Sequence, residues 1–447
     1  MLEYKPNMVL SNEEFDSIGS SPVRHDGADK VTGRARYGAD NTMSGMLYGK
    51  ILRSPHAHAV IKSVDASEAE AMPGVYAVVT SADWPETSMK LTDLAEGAIH
   101  NLGFLSMNVL ARGKALYKGH AVAAVAAVSN HVAEEALTKI KVDYEVLQSV
   151  MTVDQAMADN APLLHENLTT TELGERTDKK SNVATHIQYT QGDIDKGFAS
   201  ADVVIEMEFS NKTVHQGYIE PHSASAIWNE NDEVIIWTST QGAFTSRDAI
   251  APLLDLPVSM IKVVPMEIGG GFGGKIPVYL EPLAALLSKK TRRTVKMTMT
   301  RAETFESTGP TSGTSMRVKM GATQAGIITA AQADLTFEAG GFPGSMVSAG
   351  AQCIFAPYEI ENMQTDGYDV LVNKPKVAPY RAPAAPNVAF AGEQVVDALA
   401  QILHIAPIEF RQMNAAKEGT RRVDGPIFPV IGHVECLEAA KESTQYK

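Results

Sequence analysis

The sequence predicts an α+β protein with two folded blocks. Hydrophobic residues make up 44% of the 447 residues and charged residues 21%, the ordinary balance of folded proteins. Short alternating segments typical of strands recur along the chain between fewer helical segments. A polar stretch without sustained periodicity lies between two such regions. We therefore predict an N-terminal arm over residues 1–20, a first domain over 21–150, a linker over 151–190 and a second domain over 191–447.

The first block reads as strands broken by turns, with a helix near its end. Met46–Ser54 and Ala59–Ser67 alternate well enough to be strands. His120–Ser129 is a continuous apolar run, which indicates a strand buried on both faces. Val132–Ile140 has the spacing of a helix. The block is therefore mixed α and β.

The second block begins with strand-like segments and continues with helices and strands in turn. Val203–Asn211, Ser223–Glu230 and Glu233–Thr240 read as successive antiparallel strands. Later, Phe390–Ile405 is predicted as an amphipathic helix with one apolar face.

Charge and cysteine content exclude several classes of protein. The chain has 53 acidic and 39 basic side chains, a net charge of −14, which disfavours binding to nucleic acid or anionic membranes. There is no apolar run near 18 residues, and the first residues lack the pattern of a secretory signal. Two cysteines, Cys353 and Cys436, are too few for a four-cysteine zinc or iron–sulfur site. We expect a cytoplasmic protein without nucleic-acid or membrane partners.

The most specific local feature is the glycine-rich loop Ile268–Ile276, which follows an apolar strand. Glycines let a backbone approach a ligand closely, and their N–H groups can bind anionic atoms. A P-loop is disfavoured because Ile276 replaces the hydroxyl that binds magnesium. A dinucleotide fold needs an acid about 20 residues on, where Lys289–Thr294 is basic. A tight bend without a ligand stays as the alternative.

Four segments follow one another along the chain: Val23–Asp40, Thr238–Arg247, the glycine loop and Pro379–Glu393. In this order they resemble the molybdopterin-binding subunit of the molybdenum hydroxylases, the xanthine dehydrogenase and aldehyde oxidase family. The resemblance covers the chain from about residue 21 onward. It implies an α/β-hammerhead-like domain followed by a mixed α/β molybdopterin-binding domain, the first half of the family's molybdenum-binding region.

The resemblance also implies a molybdenum–molybdopterin cofactor in mononucleotide or dinucleotide form. The metal is held by the pterin dithiolene, and no side chain of this chain binds it directly. Six residues are implied in cofactor binding: Gln241, Gly271, Phe272, Gly273, Arg381 and Ala382. Gln241 and Arg381 are implied as the catalytic pair, because an amide and a guanidinium suit an anionic metal–oxo group.

Departures from the family pattern bear on the substrate. Xanthine-oxidising members carry a glutamate after the loop lysine, where this chain has Ile276. They also carry a second arginine, but none lies between Arg317 and Arg381 here. Carbon monoxide dehydrogenases have a copper-binding cysteine where this chain has Ala382. Oxidation of purines and of carbon monoxide is therefore not expected.

The chain ends where single-chain members continue into a long second half that carries the general-base glutamate. Truncation of a longer chain stays open, but the resemblance favours a split-subunit form, as in nicotinate dehydrogenase. Its partners would be a second molybdopterin subunit with the base glutamate, an iron–sulfur subunit with 2Fe-2S clusters and an FAD subunit. Glu281 is expected on a helix that begins near Pro277, pointing into packing, so it does not replace that base.

The implied activity is hydroxylation of an electrophilic carbon with oxygen from water. N-heterocycles, aldehydes and aromatic acyl thioesters all remain as small-molecule substrates. The alternative is a non-catalytic cofactor-binding or assembly subunit, completed only by a partner chain. A nucleotide-binding protein is a distant third hypothesis.

A second group, His215, Glu220 and His222, is not expected to bind metal. Its spacing is not that of a helical zinc site, and Pro221 breaks a helix. The resemblance instead brings this segment near the substrate funnel.

Overall fold

Two seven-stranded sheets form the framework of the computed structural model, which describes residues 20–94 and 98–446. The predicted arm, residues 1–20, lies outside the described residues except for its last one. In chain order, the strands of the described part are β1 (Leu47–Arg53), β2 (Ala59–Asp65), β3 (Val75–Thr80), β4 (Leu91–Leu94), β5 (Ala98–Asn101), β6 (Lys114–Ala115), β7 (Ala121–Ala127), β8 (Lys141–Val146), β9 (Thr169–Glu172), β10 (Glu175–Lys180), β11 (Val183–Gln191), β12 (Val203–Asn211), β13 (Ser223–Trp228), β14 (Val234–Thr238), β15 (Ile261–Pro265), β16 (Val295–Thr298), β17 (Thr314–Ala322), β18 (Ile328–Gly340) and β19 (Asn362–Leu371).

Helices follow most of the strand groups and pack on the sheets. Over the same residues they are α1 (Gly27–Thr32), α2 (Ser67–Glu70), α3 (Leu102–Val109), α4 (Asn130–Leu137), α5 (Val153–Met157), α6 (Ile194–Ala199), α7 (Ala243–Leu253), α8 (Glu281–Thr291), α9 (Arg301–Ser307), α10 (Val347–Cys353), α11 (Ala385–Ile402), α12 (Pro407–Asn414) and α13 (His433–Glu442). Two short 3₁₀ turns lie at Gly38–Asp40 and Val258–Met260.

The first sheet has the order β15-β14-β13-β16-β1-β7-β3 and joins strands from both predicted blocks. Its centre is the parallel pair β1–β16, in which Leu47 lies opposite Val295. The apolar strand β7 is buried along its whole length, as its sequence predicts. Ala124 packs in the core on one face of the sheet, while Val125 packs in a smaller cluster on the other. Helices therefore cover both faces.

The second sheet has the order β10-β9-β11-β19-β18-β17-β12. Its buried face packs against α10 and α11, with Phe337, Phe355 and Leu399 in the core. The predicted helix Phe390–Ile405 overlaps the second half of α11, and its central apolar residues are buried as expected. Outside the large sheets, β2, β6 and β8 form a three-stranded sheet, and β4 pairs with β5.

The segment 151–190, predicted as a linker, is instead part of the second sheet. It contains α5, β9, β10 and most of β11, and β11 pairs antiparallel with β19 over Val183–Gln191. The prediction was wrong because β10 is mostly exposed and β11 has fully buried residues only in its first half, so neither strand carries a sustained apolar pattern. The boundaries of the two domains themselves stay predictions.

Strand β12 is also not where the sequence predicts it. It was expected beside β13, but it pairs with β17 at the edge of the second sheet, with Val203 opposite Ala322. Adjacent strands in a sequence pair in space more often than not, and β12 is an exception. The chain therefore crosses from the second sheet to the first between residues 211 and 223.

Within the described ranges, no single helix is long and apolar enough to cross a membrane. One pair, α11 and α12, meets the criteria of length and composition together, but the two helices are bent by 110° at their junction.

Candidate active site

Parallel pairing in the first sheet brings two of the predicted site segments to one edge. Strands β14 and β15 are parallel neighbours, with Thr238 opposite Pro265. The carboxyl ends of parallel strands lie at the same edge of a sheet, which is where ligands bind in many α/β proteins. Gln241 follows β14, and the glycine loop Ile268–Ile276 follows β15. The two segments therefore meet directly.

The side chain of Gln241 is fixed by the backbone of the glycine loop. Its Oε1 accepts hydrogen bonds from the N–H of Gly273 at 2.8 Å and of Lys275 at 3.2 Å. Two donors require an oxygen at that position, so the orientation of the amide is determined. Its Nε2 has no hydrogen-bond partner in residues 20–94 and 98–446, and the residue is exposed. Gln241 therefore presents a free N–H donor outward.

Close approach explains two of the loop glycines. A Cβ on Gly271 would collide with the Gln241 side chain. A Cβ on Gly273, which has φ +102°, would lie 2.5 Å from the carbonyl oxygen of Pro379. Only glycine fits at either position. Between them, Phe272 has φ +53° and its side chain is 47% exposed.

The loop before α11, residues 379–384, packs onto the glycine loop. We call it the arginine loop. The N–H of Arg381 donates to the carbonyl oxygen of Phe272 at 2.8 Å. Ala382 and Ala384 have φ values of +57° and +68°, which cost alanine about 1–3 kcal/mol each and are concentrated at functional sites. The Arg381 guanidinium is exposed and makes no side-chain hydrogen bond or ion pair with any described residue. It is free to bind an anion.

The structure thus brings together all six residues that the sequence singled out. Gln241 contacts Gly271 and Gly273, and Gly273 and Phe272 contact the loop of Arg381. Ala382 follows in the same loop. A free amide N–H, a free guanidinium and glycines at close approach form a donor set that fits an anionic pterin–metal group.

Sequence reasoning missed the importance of one ion pair beneath the loop. The Nζ of Lys275 lies 2.6 Å from Oε2 of Glu220, and the lysine side chain is 0% exposed. Burial lowers the pKa of Lys275, and the hydrogen bond to Glu220 opposes that shift. The acidic residue in the segment 215–222 was the available signal, but nothing in the sequence indicated its partner.

The histidines of this segment make hydrogen bonds with neighbouring hydroxyl groups, His215 with Thr308 and His222 with Tyr218. His222 is buried and its Nε2 lies 2.7 Å from the Tyr218 hydroxyl. Burial lowers the pKa of His215 to about 4 and that of His222 well below its ordinary value, so both are neutral near pH 7. No group of three or more His, Cys, Asp or Glu suited to a metal ion occurs in the part of the chain that the structure describes.

Glu281 points into packing, as expected, but its helix begins later than predicted. Helix α8 starts at Glu281 and not near Pro277. The carboxylate accepts hydrogen bonds from the Thr238 hydroxyl at 2.6 Å and from the N–H of Tyr279 at 2.9 Å. Pro282 lies in the first turn of α8, where proline is favoured, whereas Pro277 precedes the helix. Glu281 is only 4% exposed and does not face the site.

Comparison with known proteins supports the same interpretation. Residues 176–415 match the family described as "Molybdopterin cofactor-binding domain", which is more than half of the chain. The chain belongs to the molybdopterin cofactor-binding family. Residues 32–148 match the "Aldehyde oxidase and xanthine dehydrogenase, a/b hammerhead domain". The predicted fold, a hammerhead domain followed by a molybdopterin-binding domain, is confirmed.

Two relatives show how much of the family architecture the chain spans. It is 31% identical over 429 residues to a probable xanthine dehydrogenase subunit of Bacillus subtilis (strain 168), covering 95% of this chain and 54% of that protein. It is 29% identical over 437 residues to the nicotinate dehydrogenase large molybdopterin subunit of Eubacterium barkeri, covering 96% of this chain and 97% of that one. The chain thus spans about half of the first relative and nearly all of the second.

Solved structures show the same architecture. Quinoline 2-oxidoreductase from Pseudomonas putida 86 superposes with a TM-score of 0.85 at 27% identity, over 96% of this chain and 54% of that chain. Aldehyde oxidoreductase from Desulfovibrio gigas superposes with a TM-score of 0.83 at 29% identity, over 94% and 46%.

Proposed function

We propose that this chain is the molybdenum–pterin-binding subunit of a multi-subunit molybdenum hydroxylase. Its substrate is a small organic molecule with an electrophilic carbon: an N-heterocycle, an aldehyde or an aromatic acyl thioester. The observation that carries the proposal is the meeting of Gln241, the glycine loop and the Arg381 loop on one exposed face. When bound, the molybdenum–pterin supplies hydroxylation with oxygen from water and takes up two electrons.

Each residue of this face has a distinct task in the proposed site. The free Nε2 of Gln241 donates a hydrogen bond to an oxygen of the anionic group. The Arg381 guanidinium supplies a positive charge and up to five N–H donors beside it. The exposed ring of Phe272 excludes water from the same face. Gly271 and Gly273 let Gln241 and Pro379 approach the loop closely, which holds the donors of this face together.

The exposure of these residues supports completion of the site by another polypeptide. Gln241, Phe272 and Arg381 are all exposed, whereas catalytic groups work best where water is excluded. We propose that a second molybdopterin subunit covers this face and supplies the base glutamate. Iron–sulfur (2Fe-2S) and FAD subunits then receive the electrons.

Elemental analysis tests the proposal most directly. The intact native complex is expected to contain molybdenum, and its denaturation is expected to release a pterin. A native complex without molybdenum, or one that releases only flavin and iron, would be incompatible with the proposed function.

Gln241→Ala is expected to lower kcat by about fivefold or more, because the lost Nε2 donor is worth about 1 kcal/mol. The variant also removes the acceptor of the Gly273 and Lys275 N–H groups. The measurement is kcat per molybdenum in the purified complex. Gln324→Ala is a matched control, because Gln324 lies in the turn between β17 and β18, in the other sheet. Equal rates for Gln241→Ala and wild type at equal molybdenum content would contradict the assigned role.

Xanthine and carbon monoxide are expected to be poor substrates of the complex. Ile276 stands where the family resemblance implies a purine-contacting carboxylate, and Ala382 where it implies a copper thiolate. The half-buried Ile276 side chain favours a less polar substrate edge. The check is a comparison of kcat/KM for xanthine, carbon monoxide, an aldehyde and nicotinate. If xanthine gave the highest value, the alignment around Lys275 would be wrong.

A further inference from the structure

The back of the glycine loop lies against the segment 215–222, with almost no space between them. A Cβ on Gly269 would lie 2.6 Å from the Cβ of Glu220. A Cβ on Gly274 would lie 2.8 Å from Cδ of Gln216. Gly269 and Gly274 therefore allow close contact with this segment, whereas Gly271 and Gly273 allow close contact with Gln241 and Pro379.

One carboxylate oxygen joins the two ends of the loop. Oε2 of Glu220 accepts a hydrogen bond from the N–H of Gly269 at 2.7 Å and from the Nζ of Lys275 at 2.6 Å. Lys275 is 0% exposed in its side chain and Glu220 12%, so solvent does not screen the pair. The loop is thus closed into a ring at its base by an interaction that involves none of the exposed site residues.

The same segment also holds the arginine loop. The Nε2 of Gln216 donates to the carbonyl oxygens of Gly309 at 3.0 Å and Pro379 at 2.9 Å. Pro379 comes two residues before Arg381, whose N–H binds the carbonyl oxygen of Phe272. Gln216 is 6% exposed. The segment 215–222 therefore binds both the glycine loop and the arginine loop on the side away from the exposed site residues.

We propose that Glu220 and Lys275 are positioning residues for the molybdenum–pterin, with Gln216 as their counterpart for the arginine loop. Their ion pair holds the ends of the glycine loop so that the donors on its outer face keep one arrangement. Residues that orient the groups binding a metal centre commonly change its affinity or activity 10- to 100-fold when replaced. This inference rests on the function proposed above.

Replacing Lys275 and replacing Glu220 are expected to have effects of different size on cofactor retention. Lys275→Met leaves the Glu220 carboxylate buried without its cation, which is strongly unfavourable. Glu220→Gln keeps an acceptor for the Gly269 N–H and leaves a lysine that burial already shifts toward its neutral form. Lys275→Met should therefore be the more damaging change, and the double variant E220Q/K275M should recover part of the loss.

The experiment compares Lys275→Met, Glu220→Gln and the double variant in the purified complex. Lys275→Met is expected to weaken cofactor retention roughly 10- to 100-fold, measured as molybdenum and pterin per complex during dilution. Hydrogen exchange of the amides in residues 269–275 gives a second readout that needs no cofactor. In cofactor-free complex, Lys275→Met should accelerate exchange there but not in β18.

A matched control separates positioning from general stability. Arg411 forms an ion pair with Glu393 at 2.7 Å, between α12 and α11 and partly buried. Arg411→Met should lower Tm while molybdenum content and exchange in residues 269–275 stay as in wild type. The inference also requires that the double variant E220Q/K275M retain the cofactor better than Lys275→Met does.

The outcomes are distinct for the two proposals. Wild-type retention and wild-type loop exchange in Lys275→Met would overturn the positioning role, as would a double variant no better than Lys275→Met. A wild-type complex without molybdenum would contradict the proposed function instead, and loop exchange would still decide whether the ion pair holds the loop. If Lys275→Met does not fold, Glu220→Gln should still accelerate exchange in the loop, and an unchanged rate would overturn the inference.

Discussion

Replacing Arg381 with alanine is expected to lower kcat about 10- to 150-fold while the fold stays intact. The guanidinium is exposed and bonds to no side chain or carbonyl of the described residues, so its removal breaks nothing within the chain. The backbone bond from residue 381 to Phe272 does not depend on the side chain. A charged donor beside an anionic group is worth about 1.5–3 kcal/mol, and about 1.4 kcal/mol corresponds to a tenfold change in rate.

The measurement is kcat with an artificial electron acceptor, together with molybdenum content and Tm. Arg317→Ala is the matched control, because that exposed arginine pairs with Asp334 on the second sheet at 2.7 Å. A surface pair is worth about 0–1 kcal/mol, so the control should affect Tm slightly and turnover not at all. Unchanged turnover of Arg381→Ala at full molybdenum occupancy would refute the role of Arg381.

The chain expressed alone is expected to show no turnover, because proton removal from water needs a carboxylate within hydrogen-bond reach. Three carboxylates near the glycine loop are already engaged. Glu220 binds Lys275, and Glu281 binds Thr238 and Tyr279. The third, Glu267, precedes the loop and forms an ion pair with Lys30. The base is therefore expected from the second molybdopterin subunit.

Co-expression provides the measurement for this second prediction. The chain alone should purify poorly, and co-expression with a second molybdopterin subunit should restore solubility and turnover. Size-exclusion chromatography of both preparations, followed by an assay with an artificial acceptor, compares them directly. An active monomer of 48.0 kDa would show that the base lies in this chain. A soluble complex that contains molybdenum and no activity would favour the non-catalytic alternative.

The sequence was sufficient to single out three segments that the structure brings into contact. Gln241, the glycine loop and Arg381 each lie in a short segment with a recognisable pattern, and their order along the chain carries the family resemblance. Strand β14 was also predictable, because its apolar residues precede a polar turn. That β14 and β15 run parallel could not be read from either strand, since pairing depends on the whole sheet.

The inner side of the site could not be predicted for a physical reason. Gln216 donates to the carbonyl oxygens of Gly309 and Pro379. Every residue type carries a backbone carbonyl, so the partners of Gln216 have no sequence signature. Lys275 and Glu220 carry opposite charges that the sequence does show. The sequence does not show that they pair, or that the pair is buried.

The central position of β16 in the first sheet has a consequence for synthesis on the ribosome. Strand β1 pairs with β7 early in the chain, but its other edge is matched only by β16, with Leu47 opposite Val295. At about 5–20 residues per second, that edge stays open on the order of 10 to 50 s during translation. An open strand edge is a template for pairing with other chains. The nascent chain therefore cannot complete the first sheet until β16 has been synthesised.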